Sequence, residues 1–302
     1  MSLLEELSSA ARFVAESVGP ATVTVGRDGR GSGFVVAPGH VLTNAHHLRD
    51  RSTQITFADG SASQATVHGS DMDGDLVVLA VDTGSITPLT WTTDAPAAGD
   101  AVFAVSRGRH GLRTTFGMVS AAGRAFRGPR GRTVTDAVEH TAPLGRGATG
   151  GPLVDPTGKV VAITTARVGD GFAFARSMTA ELQARISELL AGKHIERKRL
   201  GVTIAPAEVA ARMRQNVGLP NHDGVLLTGV HDDSLASRAG LKQGDLIVSV
   251  GDTAVTNADQ LAAALDHADD VVTLHIVRGV EPLSIKVTFA PATPPDAVIA
   301  GC

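Results

Sequence analysis

The chain has 302 residues, which is enough for two or three domains, and 43% of them are apolar while 19% are charged. This balance excludes a disordered chain, and the mild net charge of −4 argues against a nucleic-acid partner. The single cysteine, Cys302, excludes a disulfide framework and a cysteine metal site. The histidines show no ligand spacing, so neither a metal nor a cofactor is expected.

Residues 1–20 are predicted to form an amphipathic helix that packs on the following domain and ends at Pro20. Its apolar residues recur at helical spacing: Leu3, Leu7, Ala10, Val14 and Val18. The segment lacks a basic start and a continuous apolar run, and no stretch of the chain approaches the ~18 apolar residues of a membrane span. We therefore expect a cytoplasmic protein from the chain as given. Prior removal of an export signal would leave the same pattern, which keeps a periplasmic or secreted location open.

Short apolar strands separated by turn residues follow in two sets, a pattern typical of small closed barrels. The first set is predicted at 21–25, 31–36, 41–43, 54–57, 64–68 and 76–81. The second set is predicted at 102–105, 114–119, 134–138, 160–164 and 172–174. A glycine- and arginine-rich mobile loop is expected at 123–132, a helix at 177–191, and a solvated charged connector after it.

The segment Gly147-Ala148-Thr149-Gly150-Gly151 combines a hydroxyl with a turn rich in glycine. Glycines permit a sharp turn and leave the hydroxyl of Thr149 accessible. The backbone amides of Gly147 and Thr149 can then point toward one position, as the stabilisation of an oxyanion requires. By itself the pattern is only suggestive, since small-residue turns between strands are common.

A histidine and a carboxylate lie upstream of this turn. His46 follows the apolar run at 33–36, and Asp75 opens the strand predicted at 76–81. The chain order is therefore histidine, aspartate, hydroxyl, which is the order of the chymotrypsin-like double barrel. His47 is interpreted as structural, because adjacent residues on a strand face opposite sides. Asp71 and Asp73 are interpreted as turn-forming residues.

These three sites together resemble the HtrA (high-temperature-requirement) family of trypsin-like serine proteases. The resemblance extends from about residue 10 to about residue 290 and implies a mainly β chain, with a chymotrypsin-like double β-barrel followed by a small α+β PDZ domain. The implied boundaries are residues 1–20 for the helix, 21–186 for the protease domain, 187–198 for a linker, 199–290 for the PDZ domain and 291–302 for a flexible tail.

The resemblance also implies a mechanism and a substrate class. His46 would take the proton of the Thr149 hydroxyl, Asp75 would orient the imidazole, and the Gly147 and Thr149 amides would form the oxyanion hole. Pro143 and Leu144 would line the side-chain pocket, while Thr164, Thr165 and Ala166 would pair with an extended substrate. No acidic residue lies near Pro143, which favours a small or medium apolar side chain of the substrate.

The second domain would bind peptide C-termini. Leu200, Gly201 and Val202 resemble the PDZ loop whose amides capture a terminal carboxylate, and residues 259–266 would form the helix beside the groove. The resemblance implies unfolded or extended polypeptides as substrates, and assembly as a homo-oligomer, a trimer or larger.

Three residues depart from the family pattern: Thr149 replaces the nucleophilic serine, Ala148 an asparagine and Thr141 an aspartate. The extra methyl of threonine costs about 1–3 kcal/mol in a packed site, which corresponds to a rate lower by about 5- to 200-fold. If the methyl instead turns the oxygen away from His46, the nucleophile is lost. Two hypotheses therefore stay open: a working endopeptidase, or a pseudoprotease that serves as a peptide-binding scaffold or chaperone.

Overall fold

The computed structural model describes residues 2–92, 94–127, 133–195, 198–220 and 222–289. Contacts within the chain divide it into two units, Met1–Ile195 and Glu196–Cys302, which are described separately below. The predicted tail and Cys302 lie outside the described residues.

The first unit opens with the predicted amphipathic helix, α1 (Leu3–Val18). Ser2 and Glu5 form a capping box: Ser2 Oγ accepts from the Glu5 amide, and Glu5 Oε2 accepts from the Ser2 amide at 2.7 Å. Val14 and Val18 are buried against the barrel core. A 3-10 turn at Gly19–Ala21 ends the helix and leads into the first strand.

A six-stranded ring forms the first barrel. Its strands are β1 (Thr22–Val25), β2 (Gly31–Ala37), β3 (His40–Thr43), β4 (Ser52–Thr56), β5 (Ala62–Asp71) and β6 (Leu76–Ala80). They follow the order β5-β4-β1-β2-β3-β6, and pairing of β5 with β6 closes the ring. Alternate residues share a face of the ring, so Val35, Val41 and Leu79, which pair across β2, β3 and β6, lie on one face, and all three are fully buried.

A second closed barrel follows. Its strands are β7 (Ala101–Gly108), β8 (Gly111–Arg127), β9 (Thr133–His140), β10 (Pro152–Val154), β11 (Val160–Arg167) and β12 (Ala173–Ser177). They close in the order β10-β11-β12-β9-β8-β7. The buried His140 ends β9, and neither of its ring nitrogens has a hydrogen-bond partner among the described residues.

The first unit ends with a helix and a short strand. Thr179 caps α2 (Ala180–Leu190) by accepting from the Leu182 amide, and Leu182, Ile186 and Leu189 are buried. The strand β13 (His194–Ile195) then pairs in parallel with β5.

The second unit is a sheet with three helices. Its elements are β14 (Val202–Ile204), α3 (Ala207–Asn216), β15 (Val225–Val230), α4 (Leu235–Ala239), β16 (Asp245–Val250), β17 (Thr253–Ala254), α5 (Ala258–His267), β18 (Val271–Arg278) and β19 (Glu281–Thr288). The strands follow the order β14-β15-β16-β18-β19, with β17 paired to β16. Because β14 lies at the end of this order, one of its edges is unpaired in the described sheet.

The mainly β architecture of two six-stranded barrels and an α+β domain confirms the predicted fold class. Several details differ from the predictions. Residues 123–127 continue strand β8 rather than forming a loop, whereas 128–132 lie outside the described residues. Strands β10, β13 and β17 and helices α3 and α4 were not predicted, and β13 lies in the stretch expected to be a solvated connector. Among the helices of the described ranges, none is long and apolar enough to cross a bilayer.

Candidate active site

The two adjacent histidines lie on a 3-10 turn, Ala45–His47, directly after β3. A 3-10 turn has three residues per turn, so successive side chains point about a third of a turn apart. The interpretation of His47 as facing away from His46 assumed a strand and is wrong. The two imidazole rings meet edge to face, with their centroids 4.3 Å apart.

Asp75 docks onto this turn through its backbone and its carboxylate. Its carbonyl oxygen accepts from Asn44 Nδ2 at 3.1 Å and from the Ala45 amide at 3.2 Å. One carboxylate oxygen accepts from the His46 amide at 2.9 Å, and the other lies 2.7 Å from His46 Nδ1. The side chain of Asp75 is 8% exposed and that of His46 is 30% exposed. His46 therefore presents Nδ1 to the carboxylate, which leaves Nε2 as the ring nitrogen for any further contact.

The loop before Asp75 holds that residue in an uncommon conformation, with φ of 57°. Asp71, which is fully buried, accepts from the Gly74 amide at 2.6 Å, in keeping with its interpretation as a turn-forming residue. The second Asp71 oxygen pairs with Arg185 at 3.0 Å, which ties the loop to α2. These contacts over-determine the loop and place the carboxylate of Asp75 toward His46.

The glycines of the 147–151 segment are required by both dihedral angles and space. Gly147 and Gly150 have φ of +73° and +83°. A Cβ on Gly147 would lie 2.4 Å from the Gly29 carbonyl, and one on Gly150 would lie 2.2 Å from the Ser32 carbonyl. Neither position tolerates a side chain, so the turn retains this shape.

Ser32, on β2, anchors the turn from the first barrel. Its amide donates to the Thr149 carbonyl at 2.9 Å, and its hydroxyl donates to the Gly147 carbonyl at 2.7 Å. Within the described part of the chain, the amides of Gly147 and Thr149 form no hydrogen bond. Both predicted oxyanion donors are thus available to a ligand.

The hydroxyl of Thr149 contacts His47, not His46. Thr149 Oγ lies 2.9 Å from His47 Nε2, and His47 Nδ1 lies 3.0 Å from Thr43 Oγ. Across the described ranges, no hydrogen bond joins His46 to Thr149. The structure therefore brings His46 together with Asp75, and Thr149 together with a histidine to which the sequence had assigned no role.

His47 is 4% exposed and carries a strongly perturbed pKa. Burial, followed by the charges of His46 and Arg30, lowers its pKa from 6.5 to about 3. His47 is therefore neutral at physiological pH. The doublet His46-His47 was the only sequence signal for this contact, and the strand assumption concealed it.

The residues expected to line the substrate pocket lie on both sides of the glycine turn. Pro143 is exposed and its carbonyl accepts from Thr115 Oγ at 2.8 Å, while Leu144 is half-buried against the second-barrel core. The amide and carbonyl of Thr164 are both bonded to the glycine turn, to Gly151 and Gly150 respectively.

The other two predicted substrate-pairing residues follow Thr164 on β11. Thr165 is buried, with its hydroxyl bonded to the Ile163 carbonyl at 3.0 Å, and Ala166 is half-buried. The pairing of β11 with β12 shifts register between Thr164 and Ala166.

Thr141, the second departure from the family pattern, fastens the pocket loop to β8. Its hydroxyl accepts from the Met118 amide and its own amide donates to the Met118 carbonyl, both at 3.0 Å. Threonine at this position therefore has a structural role, because its hydroxyl is the hydrogen-bond acceptor of the Met118 amide.

In the second unit, the predicted carboxylate loop runs into the edge strand β14. Gly201 has φ of +77°, and a Cβ there would lie 2.5 Å from Cβ of Ser234. The Leu200 carbonyl accepts from the Ala236 amide at 2.8 Å, whereas the amides of Leu200 and Gly201 form no hydrogen bond in the part of the chain described here. Val202 pairs with Val230 on β15.

Comparison with known families agrees with both units. The trypsin-like peptidase domain family matches residues 31–163, and the PDZ domain family matches residues 226–278. The putative serine protease HhoA of Synechocystis sp. is 30% identical over 283 residues, which cover 87% of this chain and 71% of that protein. The chain belongs to the HtrA family of serine proteases.

Longer relatives match as well. The probable periplasmic serine endoprotease DegP-like of Rickettsia prowazekii is 30% identical over 275 residues, or 85% of this chain and 53% of the relative. The HtrA-family chain thus spans about half the length of the first DegP-like relatives that it matches.

Solved structures share the fold. The HtrA-type protease AlgW with decapeptide superposes with a TM-score of 0.76 at 21% identity, covering 94% of this chain and 99% of that one. The serine endoprotease from Yersinia pestis has a TM-score of 0.72 at 23% identity, covering 92% and 96% of the two chains.

Proposed function

We propose that this chain is an endopeptidase of unfolded or extended polypeptides that uses Thr149 as its nucleophile. The observation that carries the proposal is the His46–Asp75 pair, joined at 2.7 Å beside a glycine turn that carries a hydroxyl and two amides without a hydrogen-bond partner among the described residues. Family membership supports the reaction class, and the geometry supports the roles of the individual residues.

The reaction is an acyl transfer. Thr149 Oγ attacks the scissile carbonyl carbon, a C–O bond forms, and the hydroxyl proton passes to His46 Nε2. The negative charge moves to the carbonyl oxygen, which accepts from the Gly147 and Thr149 amides. His46 then donates the proton to the leaving amine nitrogen as the C–N bond breaks. Water, deprotonated by the same imidazole, hydrolyses the threonine ester and restores the hydroxyl.

Asp75 makes this cycle feasible by pairing with the imidazolium. Its carboxylate, 2.7 Å from His46 Nδ1, holds the proton there and leaves the Nε2 lone pair to accept the proton of the nucleophile. The His46 amide donates to the other carboxylate oxygen at 2.9 Å, which gives Asp75 a second contact to the same residue.

For the substrate, we propose a pocket with small or medium apolar preference at Pro143 and Leu144. The half-buried Leu144 contributes apolar lining, and no carboxylate adjoins it in the sequence. Thr165 and Ala166, which follow the residue bonded to the glycine turn, are proposed to align the extended chain.

We further propose that the second unit binds free peptide C-termini. Among the residues that the structure describes, the amides of Leu200 and Gly201 have no partner and one edge of β14 is unpaired; the amides suit a carboxylate, and the edge suits addition of a peptide strand. Binding of apolar peptides with a free carboxylate, compared with the amidated peptides, tests this proposal; equal affinity would refute it.

Homo-oligomerisation, as a trimer or larger, is also proposed. Leu3 and Leu4 on α1 are 80% and 73% exposed, which leaves apolar surface for a second copy. Light scattering coupled to size exclusion measures the mass directly, and a monomer at micromolar concentration would contradict the proposal.

The second candidate function is a pseudoprotease that binds peptides as a scaffold or chaperone. The contact between Thr149 and His47, in place of one with His46, favours this alternative. So does the methyl of Thr149, which stiffens its χ1.

Hydrolysis of unfolded casein by the parent chain, Thr149→Ser and Thr149→Ala separates the two functions. A working threonine nucleophile predicts activity in the parent that disappears in Thr149→Ala. Activity in Thr149→Ser alone identifies a pseudoprotease. Equal background in all three would overturn the catalytic proposal.

A further inference from the structure

A series of hydrogen bonds that starts at the backbone of Ser32 holds the Thr149 hydroxyl. Thr43 Oγ lies 2.6 Å from the Ser32 carbonyl oxygen, which can only accept, so Thr43 donates its single proton there. His47 Nδ1, 3.0 Å from the same hydroxyl oxygen, must then donate the proton of the second bond. We assign His47 the Nδ1–H tautomer, and its Nε2 therefore accepts the proton of Thr149.

Two glycines make space for the His47 ring. A Cβ on Gly31 would lie 2.2 Å from ring atoms of His47, and a Cβ on Gly150 would lie 2.9 Å from its Cε1. Gly150 belongs to the same turn as Thr149. The ring is thus fixed by packing between β2 and the nucleophile turn, as well as by its hydrogen bonds.

His47 accepts the hydrogen bond of Thr149 but is a poor base for removing its proton. Its Nδ1 faces the neutral hydroxyl of Thr43, whereas Nδ1 of His46 faces the carboxylate of Asp75. A proton moved to His47 would create a buried imidazolium without a carboxylate partner, consistent with the lowering of its pKa to about 3 by burial. His46 is the imidazole equipped to receive the proton.

We propose that His47 is a lock on the nucleophile, which holds the Thr149 hydroxyl on the wrong imidazole until it is released to His46. This inference rests on the proposed endopeptidase function. The ring centroids of the two histidines are 4.3 Å apart, so the second imidazole lies close to the ring that holds the Thr149 hydroxyl. The proposed transfer is a rotation of the Thr149 side chain between staggered rotamers.

The lock adds the breaking of one hydrogen bond to every acylation. Replacing His47 with valine, which cannot accept a proton, should therefore raise kcat for casein by about 2- to 10-fold, the equivalent of one ordinary hydrogen bond. His47→Gln keeps an acceptor oxygen and should give a smaller rise. The matched control is His110→Val, the same exchange at an exposed turn residue remote in sequence from the site, which should leave kcat unchanged.

The result that overturns the lock is a fall of His47→Val to the rate of Thr149→Ala, which would identify His47 as the general base. An unchanged rate in His47→Val would overturn it as well. Inactivity of every variant, Thr149→Ser included, would refute the endopeptidase function and leave the contact itself to be decided separately.

Histidine side-chain ¹⁵N spectra decide that contact without any activity and on the parent fold. Thr149→Val removes the hydroxyl and keeps the branched shape. We expect the Nε2 resonance of His47 to shift and that of His46 to stay. A shift at His46 with none at His47 would show that the hydroxyl already lies on the catalytic imidazole, and the lock would not exist.

Discussion

Nε2 of His47 lies 2.9 Å from Oγ of Thr149. The Thr149 hydroxyl is thereby hydrogen-bonded to a neutral, buried imidazole, while the neighbouring His46 contacts the carboxylate of Asp75. In the proposed acyl-transfer site, the carboxylate and the hydroxyl therefore contact two different imidazoles.

Thr149→Ser should raise kcat/KM for casein by about 5- to 200-fold, because it removes a methyl from a packed corner and frees χ1. Initial rates at several casein concentrations measure the ratio. A serine variant no faster than the parent would show that the methyl is accommodated without cost.

Asp75→Asn, introduced into the Thr149→Ser chain for dynamic range, should lower kcat by about 10⁴-fold, because asparagine favours the wrong imidazole tautomer. The control is Asp59→Asn, a carboxylate in an exposed turn that contacts Ser61. Retention of more than a tenth of the activity in Asp75→Asn would exclude His46–Asp75 as the base.

His140→Phe should make the first unit less sensitive to acid. Burial lowers the pKa of His140 from 6.5 to about 4, so between these values the unfolded chain binds a proton that the folded chain does not. Stability is therefore full above about pH 6.5 and falls as the pH drops toward 4, by about 3 kcal/mol from this residue.

Denaturant unfolding of the parent and of His140→Phe at pH 7.5 and pH 4.5 measures the difference. Both proteins should still lose some stability at pH 4.5, because the pKa of His47 is lowered further than that of His140. An identical loss in the two would mean that His140 is protonated or solvated in the folded chain.

Gly201→Ala should abolish peptide binding by the second unit. The added Cβ would lie 2.5 Å from Ser234, and φ of +77° is unfavourable for alanine. Titration of a fluorescent apolar peptide with a free C-terminus measures the loss. Gly279→Ala, also at positive φ but with open space around its Cβ, is the matched control for strain.

Asp245→Asn should destabilise the second unit by about 3 kcal/mol, because it breaks a buried ion pair on one side. Both Asp245 oxygens accept from Arg278, at 2.7 and 2.8 Å, and the carboxylate is fully buried. Denaturant unfolding of the second unit in the parent and in Asp245→Asn measures the change in the free energy of unfolding. A loss below a tenth of the expected value would show that asparagine satisfies the same donors.

Much of this molecule could be predicted from the sequence, for identifiable physical reasons. The barrel strands alternate or form short apolar runs bounded by glycine, so their positions were predictable within a few residues. The partnership of His46 and Asp75 was predictable from their order along the chain. The shape of the glycine turn at 147–151 was predictable from Gly147 and Gly150, both of which adopt positive φ in the structure.

What could not be predicted depended on long-range geometry. The contact between His47 and Thr149 requires a 3-10 turn where a strand was assumed, and it requires the absence of a Cβ on Gly31, which is distant in sequence. Helix α3 was missed, because its buried Arg214 breaks the apolar periodicity. The burial of His140 without a hydrogen-bond partner among the described residues appears only when the second barrel closes around it.

The most direct measurement is the mass of the intact chain, followed by peptide mapping, after incubation with a peptidyl fluorophosphonate that carries a small apolar side chain. We predict one adduct on Thr149 that is lost in Thr149→Ala and in His46→Ala and that forms faster in His47→Val. An adduct that survives His46→Ala, or no adduct on residue 149 even in Thr149→Ser, would contradict the assignment of Thr149 and His46 as nucleophile and base.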